Sequence, residues 1–223
     1  MFSSLLSGRF GFVGTVVVIL MIAGCQTTPA TSHAVPASLT DVGEYGENIY
    51  DAAKAGSWST ASQKLKSLKK AAAELPADLP GPGSSQKKAQ LFADISALEK
   101  SIPARDKQAS IEKANHVTLV ADGLSAPFGP KVPVDITRLD YLGRELEVWA
   151  GPGDLKRLQQ VASEIQSTWS KVRPAIEAKG ASRVSKSFSA LVDRVAAAKT
   201  AQEYEASAGP LLDEVDNLEK VFK

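Results

Sequence analysis

Apolar side chains recur at intervals of three and four residues along most of the chain after residue 37. The clearest stripe consists of Ile136, Leu139, Leu142, Leu146 and Trp149. This spacing puts all five side chains on one face of an α-helix. No run of alternating β-branched residues lies between turn residues, so the pattern indicates helices and no sheet. We therefore predict an all-α helical bundle.

N-capping residues, glycines and prolines divide the pattern into four predicted helices in each half of the chain. The first helices open at Ser38 and Asp135, which are favourable N-cap residues. The second helices open at Ser57 and Asp154, again residues of N-cap type. Pro174 lies in the second helix of the second half and should kink it or start a new helix. The third helices cover roughly residues 85–101 and 182–198, and the fourth roughly 104–123 and 201–222.

The two halves match each other, without a gap, at an offset of 97 residues. Amphipathic helices can match by chance at their apolar positions, because both follow the same period. Here the residues that punctuate the helices stay in step as well, which favours an internal duplication. These matches are Val35-Pro36 with Val132-Pro133, Thr40 with Thr137, Gly46 with Gly143, and Gly56 with Gly153.

The predicted organisation is two helical repeats, residues 38–123 and 135–223, joined by a proline-rich crossover at residues 124–134. Three prolines should keep the crossover stiff, extended and non-helical. Each repeat is of a size at which a lone core is marginal, so we expect the repeats to pack together. Residues 25–37, rich in Thr, Ser, Ala and Pro, are predicted to be a flexible tether.

Residues 1–24 have the order of a secretory signal peptide: one positive charge, an apolar stretch, and small residues at the end. The apolar stretch is shorter than the roughly 20 residues that a transmembrane helix needs. The chain's only cysteine follows directly, in the sequence Ile22-Ala23-Gly24-Cys25. This motif resembles the lipobox of bacterial lipoproteins. The alternative is an ordinary signal peptide with a cysteine at its end by chance.

The resemblance implies a diacylglycerol joined to Cys25 through a thioether, cleavage between Gly24 and Cys25, and acylation of the freed amine with a fatty acid such as palmitate. Several acyl chains make membrane attachment stable, whereas one binds only marginally. Gln26 follows the cysteine, and the resemblance to Gram-negative lipoproteins then implies the outer membrane, facing the periplasm. With Cys25 acylated, no thiol remains for a disulfide or a cysteine metal site.

Charge and motifs exclude several classes of function. Removal of residues 1–24 takes away one charge, Arg9, and leaves 25 basic and 25 acidic side chains. A neutral chain with interspersed charges is not expected to bind nucleic acid, which requires clustered Lys and Arg. The sequence has no glycine-rich phosphate loop and no Gly-x-Ser-x-Gly motif. We therefore predict no enzymatic activity and no cofactor.

The densest mixture of charged and aromatic residues in the sequence makes Arg138, Tyr141 and Glu145 a candidate partner-binding face. The alternative is ordinary packing with solvated flanks, which we favour. His116 is a conceivable metal ligand, but no second histidine lies within four residues, so a surface or partly buried histidine is favoured. The sequence predicts no metal site.

Two functions remain open. The first is an envelope lipoprotein that binds or scaffolds at the membrane surface, with the bilayer and other envelope proteins as partners. The alternative is a periplasmic bundle that binds a small ligand or metal between its two halves. A pocket lined by both halves would favour the alternative, and a convex, evenly charged surface would favour scaffolding.

Overall fold

A computed structural model describes residues 34–223, which form eight α-helices and no strand. The predicted all-α fold class is thus confirmed for this part of the chain. The signal peptide, Cys25 and most of the tether lie outside the described residues. The helices are α1 (Ala37–Lys54), α2 (Trp58–Ala73), α3 (Ser84–Ala104), α4 (Lys107–Ser125), α5 (Val134–Ala150), α6 (Leu155–Ala178), α7 (Ser182–Ala197) and α8 (Ala201–Lys220).

Helices α1 to α4 form one four-helix bundle, and α5 to α8 form a second. In each bundle every helix packs against the next one along the chain, and the last packs against the first. Such short connections favour antiparallel neighbours. Each bundle buries its own apolar core, and the two bundles meet where α4 packs against α5. The largest fully buried side chains include Tyr50, Leu39, Ile49, Leu68 and Leu91 in the first bundle and Phe188, Ile136, Leu139 and Leu142 in the second.

The helices of the two bundles follow the interval of 97 residues. α1 begins at Ala37 and α5 begins at Val134. Gly56 and Gly153 follow these helices with φ angles of 71° and 72°, in the left-handed region that glycine adopts most readily. Core positions also correspond. Buried pairs at this interval are Leu39 and Ile136, Val42 and Leu139, Ile49 and Leu146, Leu68 and Ile165, and Leu98 and Val195.

Two helix boundaries differ from those expected. Pro174 does not start a new helix, because α6 continues through it from Leu155 to Ala178. Pro174 is exposed, while Val172 and Ile176, two residues away on either side, are buried in the core of the second bundle and hold this segment against it. The crossover is also shorter than predicted. α4 runs on to Ser125 and a 3₁₀ turn follows, which leaves residues 129–133 non-helical.

A glycine lets the first helix of each bundle approach the last one closely. A β-carbon at Gly46 of α1 would lie 3.0 Å from side-chain atoms of Val117 and Thr118 on α4. At the corresponding position on α5, a β-carbon at Gly143 would lie 2.7 Å from Leu212 on α8. These distances are shorter than ordinary carbon–carbon contacts. The glycines therefore set the separation of the helices.

We expect Gly46→Val to lower the free energy of unfolding by about 2–4 kcal/mol, because the added methyl groups have no space against α4. Gly43→Ala, one turn earlier on α1, is the matched control. Its β-carbon would meet Ala121 at an ordinary distance of 3.7 Å. The control should be neutral or stabilising by up to about 1 kcal/mol. Urea unfolding followed by circular dichroism measures both, and equal destabilisation by the two substitutions would contradict the close-approach explanation.

Candidate functional site at the junction of the two bundles

Hydrogen bonds between α4 and α5 define the relative direction of the two bundles. Gln108 donates to the carbonyl of Val148 at 2.9 Å, and Asn115, seven residues later, donates to the carbonyl of Tyr141 at 3.1 Å. α4 and α5 are therefore antiparallel. Since α1 and α4 are also antiparallel, α1 and α5 run in the same direction. The two bundles consequently have the same orientation.

Side chains of α1 and α5 meet at corresponding positions of the two halves. Glu47 lies 3.6 Å from Arg144, and the Tyr50 hydroxyl donates to Glu147 at 2.6 Å. Each of these pairs is separated by 97 residues. Lys54 joins the cluster through an ion pair with Glu147 at 2.6 Å. The contact between α1 and α5 thus consists of long polar side chains.

Arg144 is the central cation of this junction, and its side chain is only 12% exposed. Its guanidinium pairs with Asp140 at 2.9 Å and lies 5.6 Å from the centre of the Tyr50 ring. One of its terminal nitrogens, Nη1, has no hydrogen-bond partner among the described residues. Such a buried charge needs its carboxylate partners, because it has lost much of its hydration.

Carboxyl groups collect around this one guanidinium. Burial raises the pKa of Asp122 to about 7, with a smaller contribution from the negative charge of Glu47. Burial also raises the pKa of Asp140 to about 7, although the neighbouring Arg144 acts in the opposite direction. The pKa of Glu47 is raised for the same reason. The junction therefore holds protons that carboxyl groups in water release at much lower pH.

Glu145 connects the two bundles on the other face of α5. The residue is 9% exposed, and its carboxylate accepts hydrogen bonds from Asn115 at 2.7 Å and from the Trp149 indole at 2.8 Å. Burial raises the pKa of Glu145, and these two hydrogen bonds lower it. A buried carboxylate is tolerated here because both of its oxygens have donors.

The structure brings the predicted partner-binding residues Arg138, Tyr141 and Glu145 to one side of α5. The Arg138 guanidinium pairs with Glu164 of α6 at 2.6 Å and lies 5.8 Å from the centre of the Tyr141 ring. Glu145 is already bonded within the junction, so it is a structural residue more than an accessible contact. Arg138 and Tyr141 line a small cavity of about 120 Å³ between α5 and α6.

A larger open cleft of about 390 Å³ lies beside it and is lined by both bundles. The second bundle contributes Arg157, whose guanidinium lies 5.2 Å from the centre of the Trp149 ring. From the first bundle, His116 is held by a 2.6 Å contact between its Nδ1 and Asp94, which is 2% exposed. The full lining is Gln90, Glu112, Lys113, His116, Tyr141, Glu145, Trp149 and Arg157.

Half of this lining had no signal in the sequence: Gln90, Glu112, Lys113 and Arg157. Trp149 was predicted to be a core residue and is half-buried, in contact with the cores of both bundles. Arg157 carried no signal, because only the turn between α5 and α6 brings it over Trp149. His116 was expected to be a surface or partly buried residue, and it lies in the cleft. No group of three or more His, Cys, Asp and Glu side chains within residues 34–223 could hold a metal ion.

No protein-family model, curated protein or solved structure matches this chain. Among the described residues, no helix combines the length and hydropathy needed to cross a membrane. The function is therefore inferred from the residues of the chain itself.

Asp122 gives the junction a measurable pH dependence. Its pKa is about 7 when folded and about 3.9 when unfolded, so between these values the folded state retains a proton that the unfolded state has lost. The part of the free energy of unfolding that this retained proton contributes is fully present below about pH 4 and is lost as the pH rises through about 7. Over this interval we expect the native chain to lose roughly 1–3 kcal/mol more of its free energy of unfolding than Asp122→Asn does.

The measurement is urea unfolding at several pH values between about 4.5 and 8. Asp78→Asn, which changes an exposed carboxyl group in the connection between α2 and α3, is the matched control. The control should keep the pH dependence of the native chain. If Asp122→Asn also keeps it, the buried carboxyl group does not retain its proton.

Proposed function

We propose that the mature chain is a lipid-anchored envelope protein that binds a small polar ligand, without catalysis, in the cleft between its two bundles. The lipobox motif around Cys25 supports the anchor, and the outer membrane facing the periplasm is its proposed location. The observation that carries the binding function is the cleft lined by side chains from both halves. This arrangement favours the small-ligand form of the function over pure scaffolding of other envelope proteins.

The size and chemistry of the cleft support this ligand class. Its volume of about 390 Å³ is near the lower end of the range for small-molecule sites. Arg157 is exposed and forms no ion pair with the described residues, and its guanidinium lies against the Trp149 ring. A planar guanidinium held in this way suits a carboxylate, which it can bind through two parallel hydrogen bonds. A ligand the size of an amino acid or dipeptide fits these limits.

The residue types and hydrogen bonds of the cleft lining support binding without catalysis. The lining contains no Ser, Thr or Cys that could act as a nucleophile. Glu145 accepts two hydrogen bonds from the protein, and burial raises the pKa of Tyr141, which keeps its hydroxyl protonated.

The matching intervals of the two bundles also support a proposed origin by duplication, after which the cleft arose between the copies.

We expect the protein extracted from membranes to retain a small polar ligand, and Arg157→Ala to lose it, because the ligand carboxylate loses its main cation. Native mass spectrometry of both proteins detects the mass difference. Lys156→Ala is the control, since Lys156 is exposed, adjacent and outside the cleft lining. The fraction of the Lys156→Ala variant that carries the ligand should equal that of the native protein. If all three proteins are empty and only other envelope proteins are recovered by crosslinking, scaffolding replaces ligand binding.

The anchor has a separate test. Cys25→Ser should give an unprocessed precursor that takes up no labelled palmitate, because the thiol is the acceptor of the first lipid. Gln26→Asp keeps the cysteine, so it should be processed and labelled normally. In a Gram-negative host, it should move from the outer-membrane to the inner-membrane fraction. Normal processing of Cys25→Ser would refute the anchor.

A further inference from the structure

Two helical hairpins with an excess of positive charge lie at the end of the molecule at which the tether enters. Ala34, the first described residue, lies three residues before the start of α1. Because α1 and α5 run in the same direction and neighbouring helices are antiparallel, the α2–α3 and α6–α7 connections both lie at this end. We refer to it as the tether-side end.

The α6–α7 hairpin is the more basic of the two hairpins at the tether-side end. Residues 171–186 contain five basic side chains and one acidic side chain. All five basic residues are exposed. The single carboxylate, Glu177, accepts hydrogen bonds from Arg173 at 2.7 Å and from Ser185 at 3.0 Å, so it is occupied within the hairpin. The basic residues are Lys171, Arg173, Lys179, Arg183 and Lys186.

The α2–α3 hairpin adds to the same charge. Residues 69–88 contain four lysines and two acidic residues. Lys87 and Lys88 bond to backbone carbonyls of Gly123 and Pro76, and not to carboxylates, so their charges are not neutralised by an ion pair. Lys69, by contrast, is paired with Glu99. This hairpin is therefore the weaker of the two basic surfaces.

Within the second bundle, the two hairpins at the opposite end do not share this excess. The α5–α6 hairpin, residues 147–164, carries two basic and three acidic side chains, and the α7–α8 hairpin, residues 193–205, carries the same numbers. The tether-side end also holds acidic residues, among them Asp213, Asp216 and Glu219 in the last turns of α8, so its positive charge is concentrated in the two hairpins and is not a net charge of the whole end. Such a local concentration of positive charge favours contact between that surface and a negatively charged one.

We propose that the exposed basic residues of the α6–α7 hairpin, assisted by the α2–α3 hairpin, contact the phosphate groups of anionic phospholipids in the membrane that holds Cys25. This inference rests on the proposed lipid anchor. Eight residues separate Cys25 from Ala34, and such a segment spans at most about 30 Å however it is folded. A tether of this length keeps the tether-side end near the lipid surface, where Lys and Arg side chains are attracted to anionic headgroups within a Debye length.

Membrane contact at this end would leave the cleft facing water. Trp149 lies at the last turn of α5 and Arg157 at the first turn of α6, which is the end opposite the tether. The lipid contact therefore limits the tilt of the body on its tether and keeps the cleft accessible to a ligand in solution.

The test uses the mature chain with Cys25→Ser, so that no acyl chain contributes to binding. Sedimentation with vesicles containing about one part in three phosphatidylglycerol should recover the protein, whereas phosphatidylcholine vesicles should not. Raising NaCl from about 50 mM to about 500 mM should release it. Combined Lys171→Glu, Lys179→Glu and Lys186→Glu changes should lower vesicle partitioning at least about tenfold.

The matched control reverses three exposed lysines at the opposite end: Lys107→Glu, Lys156→Glu and Lys199→Glu. It should keep partitioning within about twofold of the parent chain. Circular dichroism melts confirm that both variants are folded, and glutamine replacements at the same positions provide a milder second set. Equal loss in both variants, or salt-sensitive binding to isolated peptidoglycan with none to anionic vesicles, would overturn the proposal. Because the acyl chain is absent throughout, the outcome is independent of whether Cys25 is lipidated in cells.

Discussion

The packing of α4 against α5 is the contact on which the rest of the described structure depends. Val148 of α5 is fully buried in the core of the first bundle, and Trp149 beside it touches both cores. Glu145 accepts hydrogen bonds from both bundles at the same level. A four-helix bundle of this size has a small core, so each bundle gains from the surface that the other covers. The cleft exists because this contact holds the two bundles side by side in the same orientation.

Buried charges are compensated in different ways on the two faces of α5. On one face, Glu145 is satisfied by neutral donors and adds specificity to the junction. On the other, Arg144 neutralises a group of carboxyl groups that outnumber it, and burial keeps Asp122 and Asp140 at pKa values of about 7. Ions removed from water are costly unless paired, so this second face gains stability when one or more of these carboxyl groups is protonated. The proposed lipid contact uses charges that remain in water, where screening by salt controls their strength.

Local patterns were sufficient to predict the helices but not the site. Stripes such as Ile136, Leu139 and Leu142 predicted buried helix faces because apolar burial is set by spacing along one helix. Pro174 does not start a new helix, since its neighbours Val172 and Ile176 are packed in the core of the second bundle. Arg157 had no recognisable signal, and His116 was noticed only as an isolated histidine. They line the same cleft only because helices from different halves of the chain converge there.

The sequence by itself determined the all-helical class, the interval of 97 residues between matching positions and the near-neutral charge of the chain. These properties depend on residue type and on spacing within one helix, so they can be found without knowledge of the fold. The tertiary structure decided that two complete bundles form, that they lie in the same orientation, and that Tyr50 meets Glu147 across them. These features depend on contacts between residues almost a hundred positions apart, which spacing within a helix does not specify.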